Sequence, residues 1–350
     1  MLTANKNRLT CLARYLIITG GVLPLLFLLW IGAYIFAPAP NPGQNEVAVI
    51  IPPDLFFPAI EVKLIEAGVV KEDSRFLLAA HLMGVANSLR AGEYIFTGNL
   101  SPYRVLRELN KGSMAQSSLT IPEGANLKQI AALLGDGGWL NPNRFLELSR
   151  DREFIDRLGL NLETLEGYLF PDTYLFERGG HDPETIITTM VSQMRKVLVE
   201  TGAESGLPQA SLDVHEILTL ASIVEKETGQ SLERPLIARV FLNRLRKGMR
   251  LQTDPTVIYG IKDFDGNLTR KHLREYTPYN TYVIKGLPPG PIGSPGRAAI
   301  EAVMQPAGGS YYYFVSKNDG SHYFSKSLAE HNRAVYKYQK RRRKHKKRGN

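Results

Sequence analysis

Carboxylate side chains near the end of one amphipathic helix are the strongest candidates for chemistry in this sequence. The spacing predicts a helix over 214–228 whose apolar arc includes Leu220 and Ile223. Glu227 falls between Leu220 and Ile223 on the helical wheel, so its side chain projects from the face that the fold should cover. Glu225 falls only at the edge of the arc. The pattern therefore singles out one carboxyl group for an apolar environment.

A covered carboxyl group at the carboxy-terminal end of a helix has its pKa raised by two effects. Desolvation disfavours the charged form, and so does the negative end of the helix dipole. A carboxylic acid that keeps its proton near neutral pH suits the cleavage of a glycosidic bond, which needs a proton donor. An ion pair between Glu227 and an arginine such as Arg244 is the alternative. Periodicity alone does not decide between the two.

Three segments rich in polar and aromatic residues accompany this helix, at 165–176, 251–260 and 278–296. Such side chains hydrogen-bond sugar hydroxyls or stack on sugar rings. The run 286–296 has four Gly and four Pro, which predicts a rigid surface loop. The substrate-binding residues predicted from these segments are Glu166, Tyr174, Gln252, Thr253, Asp254, Tyr279, Asn280 and Thr281.

The elements that must position these residues form an α+β pattern. Strand-like runs alternate with helical runs in the first half of the chain, and the chain becomes more helical from about residue 140. Ser101 and Pro102 have the residue types of a helix N-cap and first helical position. The predicted strands are 47–51, 92–96 and 118–121, and the predicted helices are 57–70, 101–112, 127–134, 141–158 and 183–198.

An uncharged run of twenty-two residues, Tyr15–Phe36, is long enough to cross a hydrocarbon core of about 30 Å. Lys6, Arg8 and Arg14 precede it, so the positive-inside rule puts the N-terminus in the cytoplasm and everything after 37 outside. A cleaved signal peptide is the alternative, since Ala37 lies in a faintly site-like stretch. We expect a retained single-pass membrane helix.

The net charge of +9 comes from the two ends of the chain. Residues 1–36 carry +3 and residues 340–350 carry eight Lys and Arg, which leaves −2 for the body at 37–339. A near-neutral body does not favour nucleic-acid binding. The basic tail at 340–350 is too charged to fold alone. It could contact anionic lipid or wall polymers, or simply solubilise the end of the chain.

Several other chemistries lack their sequence signals. The single cysteine, Cys11, precedes the apolar run, so the body has neither a disulfide nor a thiolate metal site. The sequence contains no HExxH motif, no glycine-rich phosphate loop and no GxSxG elbow. Neither a metal nor a cofactor is predicted.

Five long runs together resemble the MltG/YceG family of endolytic murein transglycosylases. They are LEGYLFPDTYLF, ASIVEKETG, FLNRLRKGMRLQTDPTVIYG, TPYNTYVIKGLPPGPIGSPG and YYYFVSKNDGSHYFSKSLAEHN, and TIPEG at 120–124 also fits. They keep their order over about 165–335. The resemblance implies a single-pass anchor, a small LysM-like N-terminal subdomain and a mixed α/β catalytic domain. It also implies that Glu227, the second glutamate of the EKE run, is catalytic.

The family mechanism that this implies needs one carboxyl group. Glu227 would protonate the leaving glycosidic oxygen, and its carboxylate would then take the proton of the sugar's 6-hydroxyl. That hydroxyl closes a 1,6-anhydro ring on N-acetylmuramic acid (MurNAc), so no water is consumed. Glu166, Asp172 and Asp254 are further candidate helpers. If one of them lay about 5–9 Å from Glu227, hydrolysis would become plausible instead.

The sequence thus predicts an inner-membrane enzyme whose body faces the periplasm and acts on peptidoglycan strands, with peptidoglycan synthases as candidate partners. Two alternatives stay open. One is a muramidase-type hydrolase and the other a non-catalytic glycan-binding envelope protein. The predicted segments are a cytoplasmic stub (1–14), the membrane helix (15–36), a linker (37–44), the LysM-like subdomain (45–117), the catalytic domain (118–339) and the basic tail (340–350).

Overall fold

A computed structural model describes residues 18–37, 46–52, 55–86, 89, 92–97, 100–111, 116–177 and 182–340 of the 350-residue chain. The predicted cytoplasmic stub, Cys11, the linker from residue 38 and the basic tail from residue 341 lie outside the described residues.

The predicted α+β class is confirmed. Helices dominate the described residues, and the strands pair into small two-stranded sheets. The chain divides into two compact units. The N-terminal unit comprises residues 1–118 and 175–181, and the C-terminal unit comprises residues 119–174 and 182–350.

The N-terminal unit is built on one antiparallel strand pair, in which Val47 lies opposite Phe96 and Ile51 opposite Gly92. Helices pack on this pair around buried apolar side chains such as Leu64, which has no exposed surface. The elements of this unit are α1 (Leu23–Ile35), β1 (Val47–Ile51), α2 (Phe57–Glu66), α3 (Ser74–Leu82), β2 (Gly92–Phe96) and α4 (Pro102–Lys111).

Local capping explains two helices of this unit. The Ser101 hydroxyl accepts a hydrogen bond from the Arg104 amide at 3.4 Å, and α4 begins at Pro102 as predicted. Helix α3 was not predicted, although its signal is present. The Asp73 carboxylate caps it by accepting from the Arg75 amide at 2.9 Å.

The apolar segment is described from residue 18 onward, as a π-helical turn at Ile18–Val22 followed by α1. Within the described ranges, no helix combines the length and the apolarity that crossing a membrane requires. The membrane helix over 15–36 therefore stays a prediction. At α1, the Arg75 guanidinium lies 4.5 Å from the ring centre of Tyr34 and 5.2 Å from that of Trp30.

The C-terminal unit is organised around three helices that pack against one another. Residues 217–224 of one helix are all buried, because two further helices pack against it and against each other. The helices are α5 (Leu127–Asp136), α6 (Pro142–Leu148), α7 (Arg152–Arg157), α8 (Pro183–Thr201), α9 (Val214–Glu227), α10 (Arg234–Arg246), α11 (Asp254–Gly260), α12 (Arg297–Met304) and α13 (Leu328–Val335); α9, α10 and α12 make the central packing.

The remaining strands form two pairs. Strands β3 (Gln116–Thr120) and β4 (Thr173–Glu177) pair with each other. Strands β5 (Tyr313–Ser316) and β6 (His322–Ser325) form an antiparallel hairpin in the C-terminal unit, with α13 packed beside it. This hairpin supplies part of the candidate active site.

The single helix predicted over 141–158 is wrong, because the chain forms α6 and α7 there instead. The Asp151 carboxylate accepts a hydrogen bond from the Phe154 amide at 3.1 Å and so starts the second helix. A side chain that satisfies the first free amides of a new helix competes with continuation of the old one. The apolar periodicity continues through this break and conceals it.

The Gly/Pro run over 286–296 was expected on the surface, yet residues 290–296 are buried. Its amides find partners inside the fold. Ile292 donates to the Ser222 hydroxyl at 3.0 Å, and Gly296 donates to a Glu225 carboxylate oxygen at 3.1 Å. A loop can be buried when its backbone groups are paired in this way, and the prolines have no amide hydrogen to satisfy. One side of α9 thus holds this loop in place.

Candidate active site

The side chain of Glu227 enters the site from the last residue of α9. A capping box between Asp213 and Glu216 fixes the start of this helix, and the chain becomes extended at Thr228. Both ends of the helix are therefore set by local sequence. Because the preceding turns are buried, the position of Glu227 is fixed by the core.

Glu227 faces a cavity of about 440 Å³ in the C-terminal unit. The cavity lies between the end of α9, the segment that leads into α11, and the hairpin with α13. Its wall carries charged, amide and aromatic side chains, a composition suited to a polar ligand with flat faces. The wall residues that matter for the chemistry are Arg244, Gln252, Asp254, Tyr282, Tyr313 and His322.

Desolvation is the largest influence on Glu227 and raises the pKa of its carboxyl group. The Thr253 hydroxyl donates a hydrogen bond to Glu227 Oε1, which acts in the opposite direction. The negative charge of Asp254 raises the pKa further, while His322 and Arg244 lower it. The net direction is upward, so the site favours a protonated Glu227.

The Glu227–Arg244 ion pair does not form. Arg244 donates instead to the carbonyl oxygens of Tyr312, at 2.7 Å, and Leu251, at 2.6 Å. Among the ion pairs of the described residues, none shorter than 4.0 Å joins Arg244 to Glu227. The buried ion pair of this helix belongs to Glu225.

Glu225 has a structural role that complements that of Glu227. Its carboxylate lies 2.7 Å from the Arg234 guanidinium, and its side chain is only 5% exposed. The same carboxylate accepts the Gly296 amide of the buried loop. The two glutamates of one helical turn thus divide their roles, one holding the loop and the other facing the cavity.

The segment before α11 presents side chains to both the cavity and Glu227. Gln252 adopts a positive φ of 50°, which is uncommon for a residue other than glycine. Its amide donates to the Thr281 carbonyl at 3.1 Å, and the Thr253 amide donates to the Thr281 hydroxyl at 3.1 Å. These bonds orient Thr253 toward Glu227 and leave Gln252 on the cavity wall.

Asp254 is a second carboxylate on the cavity wall. It accepts a hydrogen bond from the Tyr282 hydroxyl at 2.7 Å. Burial raises the pKa of Tyr282 above its usual range, and the bond to Asp254 raises it further, so the phenol keeps its proton. Asp254 and Tyr282 therefore act as one hydrogen-bonded unit beside Glu227.

Asn280 and Thr281 were predicted to bind substrate, but neither side chain has exposed surface. The Asn280 amide donates to the carbonyl oxygens of His272 and Glu275, at 3.0 and 2.6 Å. Thr281 bonds Thr253 and so acts through it. Both side chains are therefore buried, and their contacts lie within the protein.

Glu166, Tyr174 and Tyr279 are not among the residues that line the cavity. The Tyr174 hydroxyl donates to the Phe170 carbonyl at 2.6 Å, and the Tyr279 ring packs 4.7 Å from that of Tyr259. Of the predicted substrate-binding residues, Gln252 and Asp254 line the cavity with Glu227. Thr253 is not among the lining residues but donates a hydrogen bond to Glu227.

Glu166 is a buried carboxyl group with partners of its own. It accepts the Leu127 amide at 3.2 Å and the Tyr259 hydroxyl at 2.9 Å. Burial raises the pKa of Glu166 to about 7 in spite of these bonds. Because Leu127 is the first residue of α5, Glu166 caps that helix from a distant segment.

His322 lines the cavity beside Glu227 and was not predicted as a site residue. Its ring Nδ1 lies 2.7 Å from a Glu233 carboxylate oxygen. Tyr313 and Arg244 also line the cavity, and the Arg244 guanidinium lies 5.5 Å from the Tyr313 ring centre. In the sequence, His322 and several tyrosines lie close together within 311–323, but their spacing does not by itself indicate a site.

Comparison with known proteins assigns the class. The YceG-like family matches residues 49–337. The chain belongs to this family, which confirms the resemblance seen in the sequence.

Two relatives carry the name endolytic murein transglycosylase. The one from Bacillus subtilis (strain 168) is 34% identical over 322 residues, covering 88% of this chain and 89% of the relative. The one from Streptococcus pneumoniae serotype 2 (strain D39) is 32% identical over 325 residues, covering 84% of this chain but 58% of the longer relative.

A solved structure has the same fold. A crystal structure of a yceG-like protein from Listeria monocytogenes aligns with a TM-score of 0.59 and 34% identity. The alignment covers 83% of this chain and 99% of that one.

Two substitutions should move the pKa of Glu227 in opposite directions. Asp254→Asn removes a negative charge that raises this pKa, so the value should fall. Thr253→Val removes a hydrogen bond to the carboxylate, so the value should rise. A ¹³C NMR titration of labelled glutamate carboxyl groups, with the Glu227 signal identified by its loss in Glu227→Gln, measures both shifts.

Asp136→Asn, at the end of α5, is the matched charge control and should leave the Glu227 titration unchanged. Shifts of the same sign in Asp254→Asn and Thr253→Val would contradict the electrostatic description of the site.

Proposed function

We propose that this chain is an endolytic lytic transglycosylase of peptidoglycan. It cuts the bond between MurNAc and N-acetylglucosamine (GlcNAc) within glycan strands and leaves a 1,6-anhydro-MurNAc end, which would terminate the growth of a nascent strand. The observation that carries this proposal is a desolvated Glu227 on the wall of a polar and aromatic cavity. Membership of the YceG-like family and the names of its relatives support the same reaction.

The minimal chemistry uses Glu227 as the proton donor. Its proton goes to the glycosidic oxygen that leaves with GlcNAc, and positive charge develops at C1 of MurNAc. The 6-hydroxyl of the same sugar attacks C1 and releases its proton, so no water molecule is consumed. In the simplest scheme the Glu227 carboxylate takes that proton.

The cavity wall is suited to holding a sugar chain near Glu227. The rings of Tyr282 and Tyr313 offer flat faces for stacking, while the Gln252 amide can hydrogen-bond hydroxyl or acetamido groups. We propose substrate-binding roles for these three residues. For Thr253, Asn280 and Thr281 we propose roles in positioning Glu227 and the wall.

A peptidoglycan hydrolase of muramidase type is the second candidate function. The observation in its favour is Asp254, a second carboxylate on the wall of the same cavity. A hydrolase uses such a group either to activate water or as a nucleophile. The Tyr282 hydroxyl occupies one oxygen of Asp254.

The product ends distinguish these functions. The full-length protein should convert glycan strands to anhydro-ended fragments, read by mass spectrometry. Glu227→Gln should lower the rate by at least about 10²-fold, the usual contribution of a general acid. Glu216→Gln, at the other end of α9, is the control, because glutamine also serves in a capping box.

Two results would contradict the proposal. Fragments heavier by one water would identify a hydrolase. Intact strands after incubation with folded protein that still binds them would identify a non-catalytic glycan-binding protein.

We propose that the N-terminal unit is a LysM-like subdomain that binds glycan strands. A groove of about 430 Å³ in this unit is lined by apolar side chains, including those of Leu55, Leu77 and Leu89. Phe56 lies at this groove and is 83% exposed. An exposed aromatic ring beside an apolar groove suits stacking on a sugar.

Removal of the exposed ring tests this binding role. Phe56→Ala should weaken binding of the inactive Glu227→Gln protein to glycan strands in a sedimentation assay, because a stacking surface is lost. Leu232→Ala, at an exposed apolar side chain of the C-terminal unit, is the control. Equal binding by both double variants would show that the groove does not bind the strands.

We also propose that residues 15–36 anchor the protein in the cell membrane, the inner membrane of a two-membrane envelope, with the body outside. The described part of this segment, α1, exposes apolar side chains such as Leu25, Leu28 and Leu29, each more than half exposed. Proximity to the membrane makes peptidoglycan synthases the candidate partners, since they work on the same strands.

The single cysteine reports the orientation of this anchor. A membrane-impermeant maleimide should label Cys11 in inverted membrane vesicles and leave it unlabelled in intact cells made permeable only at the outer layer. Cys11→Ser is the control for background labelling. Labelling from the outside would overturn the proposed topology.

A further inference from the structure

A histidine–glutamate pair lies at the wall of the cavity that Glu227 faces. His322 begins β6, and its side chain is 14% exposed. Its Nδ1 lies 2.7 Å from Glu233 Oε2, and its backbone amide donates to Glu233 Oε1, also at 2.7 Å. One carboxylate thus holds both the backbone and the ring of His322.

Glu233 also connects this ring to the helix that carries Glu227. The Thr228 hydroxyl, directly after Glu227, donates to Glu233 Oε2 at 3.4 Å. The Phe314 ring packs edge-on against the imidazole, with 5.5 Å between the two ring centres, and this contact orients the plane of the imidazole. The imidazole is therefore fixed in direction relative to the end of α9.

The bond to Glu233 also selects the tautomer. A carboxylate only accepts hydrogen bonds, so Nδ1 carries the hydrogen and Nε2 of the neutral ring carries the lone pair. Within the part of the chain that the structure describes, no protein group is hydrogen-bonded to Nε2 of His322. The arrangement is that of a base oriented by a third group.

Other titratable and charged groups share the cavity with His322. They come from each of the elements around His322. Among the described residues, no carboxylate is hydrogen-bonded to the one other imidazole in this set. They are Glu227 of α9, Arg244 of α10, Asp254 of α11, Tyr282 of the following segment, Tyr313 of β5 and His331 of α13.

His331 is the other imidazole of the cavity, and its surroundings differ. Its ring stacks on Tyr313 at 5.3 Å, and its buried Nδ1 has no hydrogen-bond partner among the described residues. Nothing there fixes the tautomer or stabilises an imidazolium ion. Between the two histidines, His322 is the one built to accept a proton.

We propose that His322, oriented by Glu233, is the base that removes the proton of the 6-hydroxyl during ring closure. This inference rests on the proposed transglycosylase function and changes one step of its simplest scheme. Glu227 gives its proton to the glycosidic oxygen as the C1–O bond to GlcNAc breaks. The 6-hydroxyl oxygen bonds to C1, and its proton passes to Nε2 of His322.

The step balances without a further reactant. The Glu227 carboxylate faces the positive charge that develops at C1, and the Glu233 carboxylate faces the new imidazolium ion. Transfer of the imidazolium proton to Glu227 through solvent restores both groups. Each turnover therefore consumes no water and no net proton.

The test compares variants of the full-length protein on glycan strands. His322→Gln should lower kcat by about 100-fold, as expected for loss of a general base, with little change in KM. Glu233→Gln should lower kcat less, because the ring stays but its orientation and charge stabilisation weaken. His272→Gln, at a histidine outside the cavity, is the matched control and should behave as the parent.

The pH profile separates a base from a merely structural residue. In the parent, kcat should fall on both the acid and the alkaline side of a maximum, as expected when one group acts as a base and another as an acid. The residual activity of His322→Gln should lack the acid-side fall. A parent profile with no acid-side fall would overturn the proposal, and this measurement needs no variant.

Further results would also overturn it. Activity of His322→Gln equal to that of His272→Gln, with anhydro ends still formed, would leave the transglycosylase function intact and remove His322 from it. A parent that forms no anhydro ends would overturn both together. If circular dichroism shows that His322→Gln does not fold, Glu233→Gln and the parent profile decide.

Discussion

The burial of α9 is the constraint on which the rest of the C-terminal unit depends. A helix enclosed on its apolar faces still carries polar groups, and each must find a partner or a purpose. Ser222 and Glu225 hold the amides of the Gly/Pro loop, and Arg234 neutralises Glu225. Glu227 alone among the glutamates of the last turn faces a cavity; the Thr253 hydroxyl is bonded to it, and no cation of the described residues forms an ion pair with it. The same packing that stabilises the helix therefore desolvates the acid.

Helical periodicity placed Glu227 on the covered face of its helix, because burial of an amphipathic helix is a local property of the sequence, but it did not by itself distinguish an acid from an ion pair. Glu227 lies on the predicted face, and its pKa is shifted in the predicted direction. The partner of a charged group depends on the tertiary fold, and helical periodicity did not predict it. Arg234 forms an ion pair with Glu225, whereas Arg244 donates hydrogen bonds to backbone carbonyl groups. The pair of His322 and its glutamate joins segments 89 residues apart, which no local pattern contains.

The contrast between local and tertiary properties also explains where the other predictions differ from the structure. Polar residues at 279–281 looked like sugar ligands, but Asn280 and Thr281 satisfy backbone and hydroxyl groups inside the fold. Composition shows that a polar side chain needs a partner and not whether that partner is the protein or a ligand. The Gly/Pro loop was misplaced for a related reason, because its amides are satisfied by side chains of α9. The strands at 47–51 and 92–96, the Ser101 cap and the α+β class follow from local signals and were predicted correctly.

The proposed chemistry depends most on Glu227 being a neutral acid in the resting protein. Difference infrared spectroscopy of the parent minus Glu227→Gln, at neutral pH, measures this directly through the C=O stretch of a protonated carboxylic acid. A neutral Glu227 gives such a band, which should disappear only when the pH is raised above the ordinary range for glutamate. A carboxylate band at neutral pH, titrating like that of an exposed glutamate, would contradict the role of Glu227 as the proton donor.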